Sequence, residues 1–220
     1  MIANDLNRSI LSIIDSLMKC GLCINQNEPY IRKCGTDRYE ITCCSLIPPK
    51  PNGTTDYYDE MYTYCASNKI FSIMLIDGGL IQLRYICDKS RILWHRLAYL
   101  PCRDAYRYDD CYDEYIESQI YLDIVSSKVS VVPVRMDFDP PSYVEDSHPQ
   151  SHVHLGFHKD CRIPVNRPVE PSIFCTFIIQ HFYHSATLGD NSPLPAFSAL
   201  GVKADETMSI KEKERLFINI

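Results

Sequence analysis

The segment 71–100 leaves the chain little choice of fold. FSIMLI (71–76) runs into Asp77-Gly78-Gly79 and then LIQLRYIC (80–87), and Asp88-Lys89-Ser90 leads into RILWHRLAYL (91–100). Asp-Gly and Gly-Gly supply the positive φ angles that a tight hairpin turn demands. Three antiparallel strands in a meander follow, and Pro101 ends the third.

Periodicity fills in the rest. Leu6, Ile10, Ile14, Leu17 and Met18 recur at helical spacing, so residues 4–20 read as an amphipathic helix that Gly21 stops. Residues 37–46 alternate as a strand, the proline-rich loop from Pro48 to Gly53 follows, and 55–67 reads as a helix. Residues 103–117 are acidic and rich in tyrosine, running toward a helix or ordered loop at 115–125. Residues 129–138 read as a strand, with Pro133 marking an edge or bulge, and 151–157 as another. Pro168 and Pro171 introduce a helix whose buried face is Phe174, Phe177, Ile178, His181 and Phe182. Residues 189–201 are linker-like, and Ser209 with Glu212 fits a capping box for a short last helix. Hairpins dominate and strict βαβ alternation is absent. The expectation is an α+β fold with a mainly antiparallel sheet and helices on one face. It comprises one domain over 1–188, then a linker and short helix or tail over 189–220.

The 45% apolar content supports a real core, and the net charge of −6 argues against coating nucleic acid through bulk charge. A local basic groove remains open, since Arg84, Lys89, Arg91, Arg96, Arg103 and Arg107 lie close together. No apolar run approaches the ~20 residues that span a bilayer. The start lacks the basic opening and unbroken apolar stretch of a signal peptide. The expected setting is cytoplasmic, away from membranes, with the eleven cysteines reduced.

The polar chemistry concentrates between Arg135 and Arg162. Six of seven histidines lie between His148 and His184. On a strand, His152 and His154 point to one face, and so do Arg135, Asp137 and, if the strand reaches it, Asp139. Paired strands would gather carboxylates, imidazoles and a guanidinium on one surface. Such a set suits a divalent metal held by Asp137, Asp139, His152 and His154, or acid–base work by His148 and Asp137. It equally suits an anion held by Arg135, His152 and Arg162. The bland alternative is a polar network that locks loops, with Asp137 and Asp139 serving turn chemistry before Pro140-Pro141. Arg162, framed by Cys161 and Ile163-Pro164-Val165, reads as a buried ion-pair partner of Asp137 or Asp139, or as an anion clamp.

Other features carry weaker readings. Cys20-Gly21-Leu22-Cys23 has redox spacing but follows a helix instead of opening one. Cys20, Cys23, Cys34 and Cys43 or Cys44 would make a structural zinc site, against a default of buried small apolar residues. The acidic segment 109–117 reads as a solvated face, or as a dock for a protein partner, a role the C-terminal tail shares. Arg91, Trp94, His95 and Arg96 mix basic and aromatic residues as nucleic-acid surfaces do, but Trp94 on a meander strand is expected in the core.

Several of these segments carry a resemblance: Asp77-Gly-Gly-Leu-Ile-Gln-Leu-Arg-Tyr, His95-Arg-Leu-Ala-Tyr-Leu-Pro101, Arg135-Met-Asp-Phe-Asp139, His148-Pro-Gln-Ser-His152, Cys161-Arg-Ile-Pro-Val165 and Phe182-Tyr183. Together, over about residues 5–185, they resemble an uncharacterised bacterial family catalogued only as a domain of unknown function. The resemblance implies one domain and a bacterial cytosolic setting, with a loose association to mobile-element and phage-defence neighbourhoods. It implies no activity. It also implies threonine at the position of His154 in many relatives, which shifts weight toward Arg135, Asp137, His148, His152 and Arg162. Three functions stay open: an accessory protein binding nucleic acid or a nucleotide in a polar groove, a metal-dependent hydrolase or nuclease, and a structural interaction subunit.

Overall fold

A computed structural model describes residues 1–44, 57–102, 132–156, 160–188, 190–197, 200–201 and 205–220. The acidic segment 109–117, the helix or ordered loop expected at 115–125, and Arg103 and Arg107 lie outside the described residues.

The elements run α1 (Ile2–Lys19), β1 (Cys23–Gln26), β2 (Tyr30–Gly35), β3 (Arg38–Thr42), α2 (Tyr57–Ser67), β4 (Ile73–Leu75), β5 (Leu80–Cys87), β6 (Ile92–Leu100), β7 (Val134–Phe138), β8 (Ser151–Leu155), β9 (Ile163–Pro164), α3 (Pro171–Phe182) and α4 (Ile210–Lys213). The fold is α+β. Its nine described strands form one sheet in the order β1-β4-β5-β6-β7-β8-β9, and the β2–β3 hairpin joins through β3 to the far half of β5. Every strand pairing is antiparallel, and the β4–β5–β6 meander is present. The β2 strand escaped the sequence reading because its burial is uniform, exposed throughout, so no alternation marks it.

Strand parity sorts the sheet into two faces. Ile73, Leu75, Ile81, Leu83, Tyr85, Leu97, Tyr99, Met136, Phe138 and Val153 face the main core. They meet Leu6, Ile10, Ile13 and Leu17 of α1 and Phe174, Ile178 and Ile179 of α3. Burying each such side chain contributes ~1.5–3 kcal/mol. The opposite face holds α2 at one end, where Tyr58, Met61 and Cys65 pack on Met74, Leu80 and Leu100. One helix therefore lies across the sheet from the other two.

Two locks position the frame. Gly78 sits at φ +86° in the β4–β5 turn, and a Cβ on Gly79 would come within 2.6 Å of the Tyr183 hydroxyl. That hydroxyl donates to Asp77 and meets Tyr99 Oη at 2.9 Å. The C-terminal segment is tied back: Val165 bridges Ile218 and Asn166 N–H donates to the Ile218 carbonyl. The capping box forms as the sequence predicts, with Ser209 Oγ accepting from Glu212 N–H and Glu212 Oε2 accepting from Ser209 N–H.

Candidate functional site

The site occupies the half of the opposite face that carries β6, β7 and β8. Antiparallel register sets Arg96 of β6 beside Asp137 of β7, Asp137 beside His152 of β8, and Arg135 beside His154. Directly opposed residues stand ~5 Å apart, so these side chains must interact. Asp137 is the buried centre. Its Oδ1 accepts from Arg96 Nε at 3.2 Å and its Oδ2 from Arg135 Nε at 2.9 Å. His154 Nε2 lies 3.8 Å from the same Oδ2. Burial pushes the Asp137 carboxyl up, but Arg135, Arg96 and the two imidazoles outweigh it and hold it below its ordinary value.

The histidines form a file. His148 meets His152 edge-on at 4.8 Å between ring centres, and His152 meets His154 at 4.7 Å. His152 Nδ1 donates to the Pro149 carbonyl at 2.7 Å, which leaves its Nε2 bare in the neutral ring. That atom faces His154 Nε2 at 3.0 Å and accepts its proton in a hydrogen bond between the two neutral rings. Burial, then the Arg135 charge, pushes the His154 pKa down to about 3, and burial lowers His152 as well. Both rings are neutral at physiological pH. The Val144–His148 bridge places His148, and α4 with the residues just after it braces that loop: Arg215 donates to the Asp146 carbonyl and Lys211 pairs with Glu145 and Asp146.

Arg162 completes the group. Its charge acts on Arg135, His152 and His154. Its ion pair is a 3.8 Å contact to Asp160, whose side chain is wholly exposed, and among the described residues its Nε is buried without a hydrogen-bond partner. His148 Nδ1 is buried without a partner as well. The expected Arg162–Asp137 pair does not form, because Arg96 and Arg135 already hold both Asp137 oxygens.

Other sequence expectations resolve plainly. Asp139 lies past the end of β7 and accepts from Ser142 Oγ at 2.8 Å in a Pro140–Ser142 turn, apart from the metal-spaced group. Asp137, His152 and His154 do converge, with one ligand atom of each lying within 4.8 Å of the others. Among the described residues the cysteines make no such group, and ten of them are free thiols. Trp94 is not core. It sits partly exposed on the outer face, with the Arg84 and Arg96 guanidiniums each 5.7 Å from its ring centre. His95 takes the core place, fully buried, its Nε2 accepting from Val169 N–H.

Arg96 went unassigned from sequence, though the Arg91–Arg96 basic-aromatic run contained it. Knowing that β6 pairs with β7 would have found it, since the pairing sets it beside Asp137. A second arginine–carboxylate–arginine group was also missed: buried Glu40 accepts from Arg32 and from Arg84, the latter Nε at 2.7 Å.

The chain belongs to the family described as Uncharacterized conserved protein (DUF2290), whose profile matches residues 22–220. The match starts after α1 and runs through the C-terminal segment, farther along the chain than the expected 5–185. No curated protein and no solved structure matches the chain.

Proposed function

We propose that this DUF2290 member is a binding or accessory protein that holds a phosphate-bearing anion, nucleic acid or nucleotide, in the groove around Asp137. One observation carries the reading. Two guanidiniums, Arg96 and Arg135, hold the Asp137 carboxylate, a third, Arg162, stands beside them with only an exposed contact to Asp160, and among the described residues Arg162 Nε and His148 Nδ1 are buried with no protein partner. Buried polar atoms are rarely left unmet, and surplus positive charge beside neutral imidazoles suits an anion. Arg135 and Arg162 clamp it, His152 and His148 line it, and Asp137 orients the arginines. The free thiols agree with a reducing, cytoplasmic setting. A bacterial defence or mobile-element role would supply such nucleic acids.

The alternative is a metal-dependent hydrolase with Asp137, His152 and His154 as ligands. The 3.0 Å between imidazole nitrogens favours it, because two ligands at ~2.1 Å and right angles stand ~3 Å apart. Charge opposes it: both Asp137 oxygens carry guanidiniums, and an added cation would meet three of them. Thermal unfolding with pyrophosphate against chloride at matched ionic strength, alongside elemental analysis, separates the readings. The anion reading expects a rise in melting temperature with pyrophosphate and under about a tenth of an equivalent of Zn, Mn or Fe. Stoichiometric metal with no response to pyrophosphate sinks it.

A further inference from the structure

We infer that the anion is single-stranded nucleic acid, laid across the sheet strands on the outer face with a base against Trp94; this rests on the anion-binding reading above. The two arginine–carboxylate groups lie on the same face, on neighbouring strands. Glu40 links Arg32 of β2 to Arg84 of β5, and Asp137 links Arg96 of β6 to Arg135 of β7. Arg84 and Arg96 are register partners, so the two groups abut. Trp94 lies at that junction, with one guanidinium of each group over its indole.

The carboxylates are almost wholly buried, while Arg32, Arg84, Arg96 and Arg135 are 36–52% exposed. A buried acid beneath exposed arginines holds their charge in place without presenting its own. From β2 to β7 the arginines cross four strand spacings of ~4.8 Å, or ~19 Å. That run suits about four nucleotides, the low end for single-strand binders. Duplex recognition has no matching feature here, since a stacking surface needs a splayed base. The indole also walls a cleft of about 760 Å³ lined by Arg38, Arg91, Tyr143 and Gln150, roomy enough for a base turned off the track. Asp205 and Glu206 line the same cleft, balancing Arg38 and Arg91 there.

Trp94 is the one tryptophan in the chain, so its fluorescence reports this junction alone. The experiment titrates the full-length protein with a twelve-residue oligothymidylate, with an abasic oligomer of equal length, and with pyrophosphate. The inference expects quenching by the oligothymidylate, weak or no quenching by the abasic oligomer, and at least fivefold tighter binding of the former. Trp94→Leu should remove that preference while leaving abasic and pyrophosphate affinity unchanged, and circular dichroism checks that the variant folds. The salt slope of log K should approach −3, ~−0.7 per phosphate for four contacts, and ease by ~0.7 in Arg32→Met. Equal affinity for both oligomers without quenching overturns the inference. If pyrophosphate still binds in that case, the anion site stands without its nucleic-acid ligand. If neither oligomer nor pyrophosphate binds, both readings fall.

Discussion

Glu40 and Asp137 are two versions of one arrangement. Each is a buried carboxylate on the outer sheet face, gripped by two half-exposed arginines from neighbouring strands. In each, burial raises the carboxyl pKa and the arginines more than reverse it. The difference lies in what is left over. Arg32 and Arg84 each direct two nitrogens at Glu40, so that group offers its exposed charge but leaves no buried donor unmet. Arg96 and Arg135 each give Asp137 only Nε, and a third arginine and three histidines crowd beside them. The Glu40 group fastens strands. The Asp137 group has the same fastening plus unspent donors, and the proposed function rests on that surplus.

Neutralising each carboxylate breaks the comparison most sharply. Glu40→Gln should cost ~2 kcal/mol of stability in urea unfolding, since its arginines can rehydrate but lose their partner. Its affinity for pyrophosphate should not change. Asp137→Asn should cost a similar amount yet tighten pyrophosphate binding about fivefold, the ~1 kcal/mol gained by removing one like charge in water. Weaker binding by Asp137→Asn would mean that the carboxylate contacts the ligand or a metal.

Removing single arginines gives a smaller effect. Arg162→Met should lower pyrophosphate affinity by ~10-fold or more, the worth of a charge-assisted hydrogen bond. Stability should move by less than ~0.5 kcal/mol, because Asp160 is its only ion-pair partner among the described residues and is fully exposed. Arg32→Met should leave pyrophosphate binding alone.

Acid separates the groups by pH. The folded-state pKa of His154 is pushed down to about 3 and that of His152 is lowered. The unfolded chain therefore takes up those protons first, near pH 6.5, and stability falls as pH drops below that value. Glu40 and Asp137 are depressed carboxylates, so their contribution is kept until pH falls below ~4. Urea midpoints across pH 7.5 to 3 should fall in two phases, and a His152→Gln, His154→Thr double variant should shrink the upper one to the share of buried His95, whose pKa burial pushes down to about 4. An upper phase unchanged in the double variant would show that His152 and His154 are not the buried neutral pair described.

Much of this was legible along the chain. The Asp77-Gly78-Gly79 turn forces the meander, and parity alone put Arg135 with Asp137 and His152 with His154. Local pattern failed where a neighbour in space decided the outcome. Trp94 looked like core, but its place and that of His95 follow from register: His95 opposes Tyr85 and Phe138 on the apolar face, and Trp94 falls between two arginines. Arg162 was expected to pair with Asp137 or Asp139 or to clamp an anion, and at Asp137 Arg96, brought in by β6, took that place. Glu40 was unreadable without β2, whose exposed residues give no periodic signal.

Calorimetric titration of metal-stripped protein with pyrophosphate tests the central claim most directly. The account predicts one site per chain in the wild type, at least ~10-fold weaker in Arg135→Met and Arg162→Met and unchanged in Arg32→Met. Heat that appears only after Zn²⁺ or Mn²⁺ is added, or no binding in the metal-free wild type, would contradict it.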